Sequence, residues 1–132
     1  MTSTSDRDTP RRDGLGFALP VAAGVRIFAG CMVGLNATGY AVPGASMAAV
    51  AIVGIAQERI DNRDGTDGAQ SIDVRRGMFL IKPGATGITR ANYGQPVKAA
   101  DDDSVALIGT DTAAIVAGMV RDVDADGVWV EF

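Results

Sequence analysis

The sequence predicts an all-β fold: a compact, glycine-rich β-barrel or tulip-like domain with a flexible N-terminal arm. Three observations predict it. The acidic residues are 14 Asp and only 2 Glu, and Asp favours turns whereas Glu fills helices. The 17 glycines punctuate the chain at short intervals. Between them lie brief apolar runs rich in Val and Ile, the residues that suit a pleated, half-buried surface. At 132 residues the chain has the length of one domain, large enough to bury a core without staples.

Residues 1–14, MTSTSDRDTPRRDG, hold no large apolar residue after Met1 and carry three acids and three arginines, the composition of an unpacked arm. The folded domain is expected over 15–132. It opens with FALPVAAG, VRIFAG and CMVGLN, and VGLN-ATG-YAV reads as a tight hairpin with Gly39 in the left-handed position. The alanines of Met47–Ile60 would tolerate a helix, yet VAIVGI has the β-branched content of a buried strand, expected from about Val50.

The loop DNRDGTDG follows, and then AQSIDVRRGMFLI, read as one strand with Ile72, Val74, Arg76, Met78 and Leu80 on one face. Gly77 marks a bulge or close backbone contact. Neighbouring Arg75 and Arg76 face opposite ways on such a strand and cannot clamp one anion, so a salt bridge and one exposed charge are expected. A turn at KPGATG leads to Ile88–Gly94, long enough for one helical turn. QPVKAA and SVALIG bracket Asp101–Asp103, a solvated turn rather than a metal cup, because three consecutive side chains cannot converge on one ion.

The chain closes with AAIVAGMVRDV and VWVEF. Between them DVDADG matches the opening of a calcium-binding loop, but such a loop requires a bidentate Glu at its twelfth position, and the chain stops at the eleventh. A hairpin turn fits better: Asp124 and Asp126 cap backbone, and Gly127 supplies positive φ. Val128, Val130 and Phe132 line one face of the final strand, with Trp129 and Glu131 on the other. Trp129 is read as a buried anchor, a role that a subunit interface serves equally well.

These residues also exclude function classes. Histidine is absent, removing the commonest general base and metal ligand. Cys31 is the only cysteine and reads as a small core residue. No phosphate-binding glycine loop occurs. Catalytic residues, metal ligands and cofactors are therefore expected to be none. With net charge −4 and only Lys82 and Lys98 as lysines, nucleic acid is not an expected partner. The apolar run MAAVAIVGIA is half the length of a membrane-spanning helix and no signal-peptide core is found, so no membrane partner and synthesis in the cytosol are expected. Asn36-Ala-Thr38 spells a glycosylation acceptor, but is read as a polar turn.

The run VAAGVRIFAGCMVGLNATGYAVPG, followed by VGIAQERIDNRDGTDGAQSIDVRRGMFLI and closing with VAGMVRDVDADGVWVEF, resembles the small cement or decoration proteins of tailed-bacteriophage heads. The similarity spans roughly Leu19–Phe132 and rests on the phrases GYAVP, VGIAxExxDN, VRRGxF and DVDADGVWV. It implies a virion protein, made in the host cytoplasm, that caps the outside of an expanded icosahedral shell, often as a homotrimer, and glues major capsid protein subunits together. It assigns no contact residue by residue. The arm segment Thr9, Pro10, Arg11 and Arg12 matches no family pattern and is the candidate capsid contact on chemical grounds, since its arginines offer bidentate donors to carboxylates. The rival reading is a stand-alone β-barrel module for ligand binding or calcium-dependent adhesion, supported by the acidic tail alone. An Asp-based enzyme has less support still, because the aspartates mostly accompany turn glycines.

Overall fold

The computed structural model describes residues 2–83 and 87–132, so the centre of the KPGATG turn lies outside the described residues. The protein is all-β, with one turn of 3-10 helix at Arg90–Asn92 in the Ile88–Gly94 connection. The N-terminal half forms an open sheet and the C-terminal half a closed barrel. Strands β1 (Gly16–Pro20), β3 (Met32–Asn36), β4 (Ala41–Pro43), β5 (Ala49–Ala56) and β7 (Ser71–Arg75) make the sheet, in the order β1-β7-β5-β3-β4. Beside it β2 (Arg26–Ile27) pairs with β6 (Ile60–Asp61). The barrel consists of β8 (Met78–Pro83), β9 (Pro96–Asp101), β10 (Ser104–Leu107), β11 (Gly118–Asp124) and β12 (Gly127–Glu131). Parallel pairing of β10 with β8 closes it in the order β10-β8-β12-β11-β9.

Local chemistry explains the turns. Asn36 Oδ1 accepts from the Thr38 and Tyr40 backbone N–H groups at 3.1 and 2.9 Å and from the Thr38 hydroxyl at 2.9 Å, while Gly39 takes φ 88°. The Asn36-Ala-Thr segment is therefore a self-capped turn between β3 and β4. The loop after β6 is stapled by Asn62, 1% exposed, whose amide donates to Ala22 O and Thr66 O at 2.9 Å.

One core joins the two halves, and another lies within the N-terminal half. The barrel interior is packed with Ile81, Val97, Val105, Val120, Val128 and Val130, and Met32 and Ile55 enter the same cluster from the sheet. A second cluster, including Val21, Ile27, Val33, Ile72 and Val74, lies under the sheet. Backbone contacts reinforce the junction: Met32 N donates to Asp102 O at 2.8 Å, and Ala45 N to Asp102 Oδ1 at 2.9 Å. Burying each Val or Ile contributes about 1.5 to 3 kcal/mol against water, so the shared cluster makes the sheet and barrel one cooperative structure.

Four expectations need correction. The run Ala69–Ile81 is two strands, not one, because the chain leaves the sheet at Arg76 and Gly77 and enters the barrel. The alternation slips by one residue there: Ile72 and Val74 are buried, but Met78 and Leu80 are exposed, and Phe79 and Ile81 turn inward. Arg75 and Arg76 are both exposed, and among the described residues neither joins an ion pair. Trp129 is half-buried on the outer barrel face. A five-stranded barrel has room inside for Val and Ile but not for an indole whose N–H needs a partner. Cys31 is half-buried in the turn before β3 rather than in the core; partial burial, then the carboxylates of Asp102 and Asp103, push its thiol pKa up.

Candidate partner-binding surface

The outer face of β8, β12 and β11 follows from register. Trp129 lies opposite Leu80 on one side and Asp122 on the other, while Glu131 lies between Met78 and Met119. Because Val128 and Val130 point into the barrel, these alternate residues must point out. On β11 the inward residues Val120 and Val123 are three apart, and the ladder accommodates this with a bulge between Val120 and Asp122. The extra residue, Arg121, is thereby aimed along the surface, where its Nε donates to Glu131 Oε2 at 2.7 Å and its guanidinium lies 5.7 Å from the Tyr93 ring centre.

The face is apolar with a few fixed polar groups. Met78 is 54% exposed, Leu80 41%, Met119 37% and Tyr93 65%. Trp129 anchors it: the indole Nε1 donates to Asp124 Oδ2 at 2.9 Å, and Asp124 Oδ1 accepts from Asp126 N at 2.8 Å. Those two donors, the indole first, hold the Asp124 carboxyl below its ordinary pKa. Asp124 and Gly127 pair across the two-residue turn, and Gly127 has φ 148°. The acidic tail is thus a hairpin whose first carboxylate is committed to its own backbone and to Trp129. Asp122 likewise accepts from Val123 N at 2.8 Å. Among the described residues, no three Cys, Asp or Glu side chains gather as a metal cluster would require.

The arm candidates Thr9, Pro10, Arg11 and Arg12 are all exposed, and within residues 2–13 the side-chain hydrogen bonding described is Ser3 Oγ to Ser5 O at 2.9 Å. Arg12 reaches an open groove of about 510 Å³ where sheet meets barrel, lined also by Phe17, Ile52, Val53, Ala117 and Phe132. The structure does not bring the arm candidates onto the Trp129 face as one site. Sequence reasoning singled out Trp129 but missed Met78, Leu80, Met119 and Tyr93. The signal was present for Met78 and Leu80, since a glycine inside a strand pattern can shift its phase.

Together these features form an exposed, largely apolar surface on an all-β scaffold. No family model, curated protein or solved structure matches the chain.

Proposed function

We propose that the protein is a structural virion component that decorates and cements the outer surface of an icosahedral phage capsid, reinforcing contacts between major capsid subunits. It acts without catalysis or cofactor. The observation that carries the reading is the apolar barrel face of Met78, Leu80, Met119, Trp129 and Tyr93, which has the aromatic and Met composition of a protein interface core. In this reading copies associate through that face, as a homotrimer, and the exposed Thr9–Arg12 segment engages carboxylates of the major capsid protein. The resemblance of Leu19–Phe132 to head cement proteins supports the same role. The rival reading, a calcium-dependent adhesion module, drew its support from the acidic tail, where both oxygens of Asp124 are already engaged.

The test is occupancy on purified heads together with light scattering of the free protein. Met78→Glu with Leu80→Glu should leave the fold intact, since both side chains point outward, while abolishing self-association. Deleting residues 2–13 should leave the melting temperature unchanged and strip the protein from heads. Full occupancy by both variants would refute the proposal.

A further inference from the structure

We propose that Arg26, Phe28 and Arg59 form a recognition site for a carboxylate-bearing segment of a partner protein. The inference rests on these side chains and stands apart from the cement reading. The antiparallel ladder of β2 and β6 pairs Ile27 with Ile60 and Arg26 with Asp61. Ile27 is buried, and Ile60 packs on the same core cluster. Their neighbours Arg26, Phe28 and Arg59 are therefore turned outward, two from one strand and its continuation and one from across the ladder.

The Arg26 guanidinium carbon lies 4.6 Å from the Phe28 ring centre and that of Arg59 lies 5.1 Å from it. Two cations thus share one ring, which is itself 44% exposed. Among the described residues, neither guanidinium is within ion-pair distance of a carboxylate. The acid best placed to neutralise Arg26 is its ladder partner, Asp61. Its carboxylate is instead gripped by Arg63, through Nε to Oδ1 at 2.9 Å and Nη2 to Oδ2 at 2.7 Å. Two like charges are therefore held beside one ring with their N–H donors unpaired to any carboxylate among the described residues.

Such a pair accepts carboxylates in the two-pronged geometry that guanidinium favours, and the exposed ring edge offers apolar contact to a flanking side chain. A protein segment with one or two acidic residues fits. A long polyanion fits less well, because the chain carries net charge −4 and repels it at range.

The test is an NMR titration of the full chain with a capped Gly-Glu-Gly-Glu-Gly peptide, with inorganic phosphate and a ten-nucleotide oligothymidylate as competing probes. The diacidic peptide should shift the Arg26 and Arg59 side-chain N–H resonances and the Phe28 ring saturably, with affinity falling as salt rises. Arg26→Gln with Arg59→Gln should weaken binding by about tenfold or more. Should that pair unfold the protein, Arg26→Lys with Arg59→Lys decides instead, since it keeps the charge, loses the fork and should retain only part of the affinity. Absence of these shifts, their confinement to the arginines of the N-terminal arm, or tighter binding of phosphate or oligonucleotide would each overturn the site. Peptide binding by a protein that fails to occupy heads would remove the cement reading and leave this site standing.

Discussion

Replacing Gly127 by Ala should be among the most damaging single changes in the barrel. Two separate effects act there. The backbone holds φ 148°, where a residue with a Cβ is strained by about 1 to 3 kcal/mol. A Cβ at this position would also lie 2.7 Å from Ile81 O and 3.5 Å from Leu80 Cδ1. Ile81 O belongs to β8, the neighbour of β12, so it cannot retreat without loosening the β8–β12 ladder. Losing one or two ladder hydrogen bonds adds about 1 to 2 kcal/mol. The total is about 2 to 5 kcal/mol, a large share of the 5 to 15 kcal/mol typical of a domain. For a chain of this length each kcal/mol lowers the melting temperature by about 4 °C, so a fall of about 8 to 20 °C is expected in a circular-dichroism melt. Two controls separate the effects. Gly39→Ala, with φ 88° and no atom within 4 Å of its Cβ, should show the strain alone, and Gly14→Ala, with open space and no positive φ, should be neutral. If Gly39→Ala and Gly127→Ala melt together, the close approach to Ile81 contributes nothing and the reasoning fails.

Two further predictions concern the tail hairpin and the Asn62 staple. The carboxyl of Asp124 lies below its ordinary pKa because the Trp129 indole and then the Asp126 backbone N–H stabilise its anion; a depressed folded-state value means stabilisation that is complete above the unfolded pKa near 4 and lost as pH falls through the folded one. Trp129 emission should therefore change below about pH 4 and become independent of pH there in Asp124→Ala, and calorimetry with millimolar calcium should show no stoichiometric binding that Asp124→Ala and Asp126→Ala abolish. Asn62→Ala should cost about 2 to 4 kcal/mol, since it removes the amide donor from the carbonyl of buried Ala22 and leaves a cavity where the side chain is 1% exposed; a change under 1 kcal/mol in urea melts would show that water replaces the amide.

Much of this protein is legible in its sequence because its turns are specified locally. Asn36-Ala-Thr38-Gly39 caps itself, and Asp124 bonds to the backbone two residues on, so neither hairpin needs the rest of the fold to announce it. The final strand is equally direct, since Val128 and Val130 alternate with polar or amphipathic neighbours. What the chain could not reveal is decided by which strand meets which. SIDVRRGMFLI alternates as one strand, yet Gly77 hands it from sheet to barrel and reverses the facing of Met78 and Leu80. Trp129 looks like a core residue by type, and only closure into five strands, with an interior too narrow for an indole, sends it outward beside Asp124. Arg26, Phe28 and Arg59 are separated by up to 33 positions, and nothing local joins them; the pairing of two short strands does. Turn chemistry is written in adjacent residues, whereas the outer surface depends on contacts between segments far apart in the chain, and those exist only once the sheet and barrel have closed on their shared core.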